Sequence, residues 1–417
     1  MNRTFFSYYA LLLILLPLHI ESMNLLRPYD TLIRPDPRGD YPFRVTFFAE
    51  RGIGNATGYN GDGAIVNPLR IWQPAQNCLR MLCNQPQGCA ANTLFNQLGI
   101  VDDGRCGTCG LNGNLKLDWS VAGSFSYWWS PSLWFAIYMP VYSMRLSNIC
   151  INDLTPSNTP AGVQARCSLT NNIPQLCEAL SNGSLCLDSW RRKGFGDTVL
   201  MVEWLTEHPQ ARLVLKNVML NGRIGVVVPS GHERNEDKLF ALPFGTDGGW
   251  GLVFGGGLGV TLGCYLDAGF DVQLTHVFGT VRNRRIRTDV GQTDLLLLNK
   301  VSAYNDVGLT QRFNLFFKIH DIFPGAWLQA GYQFLKHGRD HLTLLTCNNS
   351  NEVANCAVNL HEWIAHQVIV SAGYNATARM GDDACAVPQF SLFARIPFNG
   401  KRSALFTTIG GYFAIDF

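Results

Sequence analysis

Two histidines and a pair of cysteines are the residues best suited to bind a metal ion. His361 and His366 bracket His-Glu-Trp-Ile-Ala-His, which looks like a zinc-protease helix, but the second histidine comes one residue too late. On a β-strand the two imidazoles would point to opposite sides. Cys106 and Cys109 have CxxC spacing, but without a second, evenly spaced pair this motif is weak evidence for zinc. The sequence therefore predicts no metal site.

Groups for hydrolytic or phosphate chemistry are present but scattered. A serine, two histidines and an acid suited to a triad occur at Ser371, His276, His320 and Asp416. Nothing in their spacing indicates that they meet. The glycine-rich stretch from Gly255 to Gly259 is not followed by the helix that phosphate binding needs, so we interpret Gly255 to Gly257 as a turn. We predict a protein that is not an enzyme and binds no cofactor.

Composition narrows the class of protein. The 417 residues carry a net charge of only +2, which argues against a nucleic-acid partner. Charged residues make up 15%, below the average of roughly 25%, whereas glycines number 41 and aromatics reach 12%. After the first twenty residues no stretch holds ~18 consecutive apolar residues, so no transmembrane helix is predicted. Low charge without spanning helices is typical of a transmembrane β-barrel.

The last stretch, from Leu405 to Phe417, alternates in character with a period of two. Phe413, Ile415 and Phe417 fall on one face, and Tyr412, Ala414 and Asp416 fall on the other, as in an extended strand with one face in an apolar medium. A terminal phenylalanine in such a strand resembles the signature of bacterial outer-membrane β-barrels, which implies insertion through the barrel-assembly machinery. The alternative is the buried last strand of a soluble sandwich.

Alternation elsewhere supports the barrel. From Leu115 to Tyr127 it lasts thirteen residues, enough for a tilted strand to cross a bilayer, which needs ~9–11. Trp128 and Trp129 then fit an interfacial girdle. Pro140 interrupts the returning strand, and we expect a bulge there. Twelve strands are predicted, with connections at 52–113, 130–132, 147–195, 206–212, 229–249, 255–257, 279–308, 321–325, 338–361, 378–388 and the Asn399-Gly400 hairpin.

These connections are alternately long and short, except for the last two. Outer-membrane barrels keep both chain ends and their short turns in the periplasm and expose their long loops. We therefore predict an all-β, antiparallel transmembrane β-barrel of about 12 strands with long cysteine-bearing extracellular loops. Residues 1–22 are interpreted as a signal peptide, 23–42 as an N-terminal periplasmic arm, and 43–417 as the barrel, with loop insertions at 52–113 and 147–195.

Thirteen cysteines in an exported chain predict disulfides. Eleven fall in the long connections. Cys347 and Cys356 share one loop and are predicted to pair, whereas the pairings within the first two loops stay open. Cys264, on the apolar face of a strand, is the expected unpaired thiol.

The polar face of each strand should line the lumen, where mixed charges would set selectivity. The alternative is a closed salt-bridge lattice that does not conduct. The predicted lumen-lining residues are Lys116, Asp118, Asp197, Glu203, Asn221, Arg223, Asp267, Asp271, Arg312, Asn314 and Lys318.

Two short motifs carry a family resemblance. Gly194-Phe195-Gly196-Asp197 opens one strand, and Val228-Pro229-Ser230-Gly231 ends the next. They resemble motifs of the transporter-like outer-membrane barrels associated with the meta-pathway of phenol degradation. The match covers about 40 residues and implies a channel-like barrel, but no substrate or site. The cysteine-rich loops depart from this family.

Two functions follow from these expectations. The first is an outer-membrane channel or uptake pore for small solutes, in contact with outer-membrane lipid. The alternative is a surface-display or adhesion protein whose barrel anchors disulfide-braced loops.

Overall fold

A computed structural model describes residues 23–37, 40–82, 90–98, 107–155, 163, 171, 173–182, 184–263, 265–346, 349–376 and 385–417. Twelve of the described strands pair in antiparallel order, and the last pairs with the first to close a barrel. They are β1 Phe43–Gly52, β2 Thr108–Ser130, β3 Leu133–Asp153, β4 Thr198–Pro209, β5 Leu215–Val228, β6 Gly251–Leu262, β7 Leu266–Val277, β8 Thr310–Ile319, β9 Ala326–His337, β10 Trp363–Asn375, β11 Val387–Lys401 and β12 Thr408–Asp416. The predicted fold is confirmed.

Short elements decorate the end of the barrel that carries the long connections, which we call the loop end. The opposite, turn end has the short connections and both ends of the barrel sequence. The additional strands are Thr57–Tyr59, Ile65–Val66, Gln76–Asn77, Trp190–Phe195, Thr280–Arg285, Lys300–Asp306, His341–Leu344 and Ser403–Leu405. The α-helices are Cys78–Leu82, Ala90–Leu98, Ile173–Asn182 and Asn351–Asn355, and the 3-10 helices are Pro68–Arg70 and Val358–Leu360. Within the described ranges, no helix combines the length and apolarity needed to cross a membrane.

Alternation along the strands gives the barrel an apolar outside and a largely polar inside. In β12, Phe413 and Phe417 are 45% and 44% exposed, and Ile415 lies on the same outer face. Asp416, between them, is fully buried. In lipid, closing the ring gives each backbone group in the wall a partner, which an open sheet edge could not do.

The glycines at 255–257 do not form a turn, contrary to the sequence interpretation. They lie within β6, which pairs with β5 and β7 along its length. β6 ends at Leu262, and Gly263 follows it with a positive φ of 61°. The Asn399-Gly400 hairpin is also wrong, because β11 continues to Lys401 and the chain bends at Arg402, whose φ is 48°.

The bulge expected at Pro140 is not observed. Pro140 pairs in register with Ala122, and no shift occurs at that position in β3. On its other side, pairing of β3 with β4 ends at Tyr138, and pairing with 190–195 begins at Val141. The missing N–H of Pro140 therefore meets an irregularity in the neighbouring chain. A bulge that affects the predicted lumen residues lies in β2, where the register with β3 shifts between Leu117 and Trp119.

Residues 23–37 lie inside the barrel. This segment, which is part of the predicted periplasmic arm 23–42, is called the arm below. It leaves β1 at the turn end and rises through the lumen with its amino-terminal side towards the loop end. There the Nδ2 of Asn24 donates to Gln367 (3.1 Å) and to the carbonyl of Phe406 (2.9 Å). The arm therefore fills the space that a channel would need.

An apolar core joins the arm to the loops and closes the loop end. Leu25 and Leu26 of the arm belong to the same buried cluster as Leu79, Phe240 and Leu296, which come from three different connections. Burying roughly a Leu-sized side chain stabilises by about 1.5–3 kcal/mol, so this cluster holds arm and loops together.

Candidate functional site in the barrel lumen

Three buried ion pairs join strand residues that face the lumen. Arg395 of β11 holds Glu50 of β1 through its Nη2, 2.6 Å from both carboxylate oxygens. Arg44 of β1 pairs with Asp416 of β12, with Nη2 3.0 Å from Oδ2. Arg223 of β5 pairs with Asp271 of β7. All six side chains are buried, so each charge is neutralised within the wall itself.

The glycines of β6 make room for one of these pairs. A Cβ at Gly255 would lie 3.1 Å from Nε of Arg223, and a Cβ at Gly257 would lie 3.0 Å from Cα of Asp271. β6 lies between β5 and β7. Arg223 therefore reaches Asp271 across a strand whose glycines leave its path clear.

Three further ion pairs join the arm to the wall. Arg34 pairs with Glu203 of β4, and Asp36 pairs with Lys318 of β8. Asp30 pairs with Arg312 of β8, at 2.9 Å. The arm contributes one cation and two anions to these three pairs, which are therefore neutral together.

Asp30 occupies a polar site in the described part of the lumen. Besides Arg312, its carboxylate accepts hydrogen bonds from Nδ2 of Asn314 at 3.1 Å and from Nε2 of Gln333 at 2.6 Å. The backbone N–H of Leu32 also donates to it, at 3.2 Å. Arg312, Asn314 and Gln333 are 3%, 0% and 2% exposed. A buried guanidinium and two primary amides form a site suited to a carboxylate.

Most of the predicted lumen residues lie on the inward face. Those on the face opposite the exposed apolar side chains of their strands are Glu203, Asn221, Arg223, Asp267, Asp271, Arg312, Asn314 and Lys318. Asn221 accepts a long 3.4 Å hydrogen bond from Arg223. Asp267, near the turn end, pairs with His320.

Lys116 and Asp118 require a correction. Above the β2 bulge the inward positions switch, so Leu115 and Leu117 are fully buried and Lys116 and Asp118 lie on the opposite face. Asp118 pairs there with Arg145 at 3.0 Å and Arg191 at 2.8 Å. One inserted residue changes the face of every residue beyond it.

Asp197 lies at the edge of the wall, where the two resemblance motifs meet. Its carboxylate accepts hydrogen bonds from the backbone N–H of Gly231, at 2.9 Å, and of Thr246. The hydroxyl of Ser230 accepts from the N–H of Thr198 at 2.9 Å and donates to the carbonyl of Gly196 at 3.2 Å. These contacts fasten the 229–250 connection, which carries the buried Phe244, over the loop end.

Two of the groups considered for hydrolysis, Asp416 and His320, pair with other residues. Asp416 is held by Arg44 and by Nε2 of Gln389 at 2.6 Å, and His320 pairs with Asp267. Ser371 lies on the inward face of β10, and His276 near the loop end of β7. Cys109 forms a disulfide with Cys78. Cys106, Cys264, Cys347 and residues 1–22 lie outside the described residues, so the Cys347–Cys356 pair and the signal peptide stay predictions.

Sequence reasoning missed the residues that complete these networks. Glu50 and Arg44 share the polar face of the first strand, and Arg395 shares that of the eleventh, so their alternation was a usable signal. Gln333 likewise alternates with apolar residues in β9. The acids and bases of the arm had no such signal, because the arm is not periodic.

Comparisons with known proteins find similarity only among solved structures. No family model matches the chain, and no curated protein matches it in sequence. A crystal structure of an outer-membrane channel from Pseudomonas putida F1 is 11% identical, with 94% of this chain and 100% of that chain covered and a TM-score of 0.49. The CymD monoaromatic hydrocarbon channel is 9% identical, with 90% and 89% covered and a TM-score of 0.27. A Pseudomonas aeruginosa FadL homologue is 9% identical, with the same coverage and a TM-score of 0.29.

At these TM-scores the matches say nothing about what this chain transports, and the fold rests on its own strand pairing. A closed antiparallel ring with an even strand number, an apolar exterior and long connections at one end is the architecture of bacterial outer-membrane barrels. The protein has the fold of a bacterial outer-membrane β-barrel.

Proposed function

We propose that the protein is a bacterial outer-membrane channel for small solutes, lined by mixed charges, and that its arm closes the lumen. The loop end faces the exterior, and the turn end faces the periplasm. One observation carries this proposal. The wall of the lumen bears buried ionic side chains, and a single non-periodic segment, the arm, fills the lumen. A barrel of twelve strands is wider than one of eight, which side chains alone can fill.

The charges of the wall are largely balanced without those of the arm. The wall pairs Arg395–Glu50, Arg44–Asp416 and Arg223–Asp271 contain no ionic group of the arm. Arg395 and Arg44 also donate hydrogen bonds to backbone carbonyls of the arm, and Asp271 accepts one from Thr31. Beside Leu25 to Tyr29 there is also a small cavity of about 40 Å³, whose other lining residues include Tyr142 and Phe244. Withdrawal of the arm would therefore leave the wall largely neutralised and connect this cavity to the periplasmic side.

Liposome swelling tests the proposal. Proteoliposomes containing either the full chain or a variant lacking residues 23–36 are diluted into isosmotic solutions of small sugars and amino acids. We expect faster swelling with the deletion variant, and heat-modifiable migration on gels verifies that it folds. If the folded deletion variant admits no solute, the channel proposal is wrong.

A second candidate is surface display, favoured by the structured loop end. The Cys78–Cys109 disulfide and the three-stranded sheet of 280–285, 300–306 and 341–344 give the loops a fixed shape. Deleting 280–306 would abolish adhesion to cells but leave solute flux intact if display is the function.

A further inference from the structure

The side chains that surround the carboxylate of Asp30 belong to the wall, and other wall residues orient their amides. Gln367 donates from Nε2 to Oε1 of Gln333 at 2.6 Å. Gln333 in turn donates to Oδ1 of Asn314 at 2.8 Å. Because both amide oxygens already accept hydrogen bonds from wall residues, the NH2 groups of Gln333 and Asn314 are directed at the position that Asp30 occupies.

The guanidinium of Arg312 is incompletely used by Asp30. It stands 2.9 Å from the carboxylate, but none of its three nitrogens makes an aligned hydrogen bond to a described residue. It also lies over the ring of Tyr29, with Cζ 5.3 Å from the ring centroid. A free carboxylate, without the constraint of the arm backbone, can form the two parallel bonds that arginine prefers.

The site also lies on the route of passage. Arg312 and Asn314 are in the middle of β8, and Gln333 faces them from β9. A solute that crosses the lumen in place of the arm passes this position between the two ends of the barrel.

We propose that Arg312, Asn314 and Gln333 form a binding site for carboxylate solutes, and that Asp30 occupies it as a tethered competitor. The inference rests on the proposed channel, since it names the class of solute that the open lumen retains. A tethered ligand acts at an effective concentration on the order of mM. Free carboxylates must therefore compete with Asp30 until the arm withdraws.

Chemical rescue by acetate tests this site. Asp30→Ala removes one carboxylate and leaves room for another beside Arg312. We expect acetate to bind the variant at least roughly tenfold more tightly than it binds the wild type, by isothermal titration calorimetry, and to raise the unfolding temperature of the variant. Acetamide, which has the same shape but no charge, should do neither.

Two matched variants make the result specific. Asp36→Ala removes the same charge from the arm but leaves Asp30 in place, so acetate should bind as weakly as in the wild type. Asp30→Ala combined with Arg312→Gln should lose the acetate binding. Equal acetate affinity in wild type and Asp30→Ala, or acetate binding that survives Arg312→Gln, would overturn the proposal.

The deletion variant provides a second route if Asp30→Ala does not fold. Acetate is then titrated into the barrel that lacks residues 23–36, with and without Arg312→Gln. Flux without Arg312-dependent acetate binding would refute the carboxylate site and leave the channel standing. Arg312-dependent binding without flux would refute the channel and leave the site standing.

Discussion

Phe43 and Phe417 exchange two backbone hydrogen bonds, each 3.0 Å long, and these bonds join the two ends of the barrel sequence at the turn end. Next to them Arg44 and Asp416 pair across the same seam, inside the barrel. The aromatic rings of Phe43 and Phe417 lie 5.8 Å apart. The last residue of the chain is thus part of the closing strand pair.

The Asp416 carboxylate should be essential for closing the barrel. It is fully buried, and it accepts hydrogen bonds from both Arg44 and Gln389. Asp416→Ala leaves the charge of Arg44 buried without its partner, which costs about 3–5 kcal/mol. Urea unfolding followed by tryptophan fluorescence measures the loss. Asp62→Ala, at an exposed loop position, is the control, and equal stability of the two variants would contradict this role.

Without the arm, the lumen should conduct anions slightly better than cations. Among the ion pairs described above, removal of the arm leaves the cations Arg312 and Lys318 and the anion Glu203 without their partners. Two cations against one anion give a net positive pathway, and wall charges set the selectivity of such a lumen. The reversal potential of the deletion variant in a KCl gradient should show chloride preference. Lys318→Gln should reduce that preference, and a cation preference in the deletion variant would refute the charge assignment.

The loop end should become less stable as pH rises through about 6. Asp340 lies outside the spanning strands, and burial raises its pKa to about 6, while His337 opposes that shift. The folded protein binds the proton of Asp340 more tightly than the unfolded chain, whose pKa is 3.8. Protonation therefore stabilises the folded state, and this stabilisation is complete below pH 3.8. This advantage is lost between about pH 4 and 6. Its size is on the order of 2–3 kcal/mol, from 1.36 kcal/mol per unit.

Asp340→Asn tests this effect because the amide oxygen can still accept from the N–H of Gly308, a bond of 2.9 Å in the native protein. We expect the free energy of unfolding of the wild type to fall relative to that of the variant between pH 4 and 7. Parallel profiles for the two proteins would show that Asp340 does not titrate in this range.

The Cys78–Cys109 disulfide should stabilise the first loop. It closes a segment with a sequence separation of 31, and a crosslink of that span contributes roughly 3–4 kcal/mol by constraining the unfolded chain. Replacing both cysteines by serine should expose the loop to proteolysis, whereas Cys150→Ser, at an exposed position, should not. Peptide mapping without reductant tests the Cys347–Cys356 pair at the same time.

The barrel was predictable because the alternation of apolar and polar residues can be seen in each strand separately and shows which side chains face the lumen. The residues of β8 and β12 reveal their inner and outer faces in the sequence, so Arg312, Lys318 and Phe413 could be assigned to a face without coordinates. The same reasoning failed at Lys116 and Asp118, because a bulge leaves no compositional mark. It also failed at Gly255 to Gly257, where the glycines serve the side chain of a neighbouring strand.

The arm was not predictable in this way. Its position depends on partners up to 382 residues away, such as Phe406 for Asn24, and no periodicity in a short proline-rich segment indicates burial. Its charges were informative only when paired with those of the wall. The sequence therefore predicts the wall of the barrel better than the position of the arm inside it.

Single-channel recording in planar bilayers tests the central claim most directly. The claim is that the arm occupies and closes a path through the barrel. We predict that the full chain stays mostly silent, and that the folded variant lacking residues 23–36 shows stepwise conductance. Equal conductance of the two proteins would show that the arm is not the barrier, and silence of both would contradict the existence of the path.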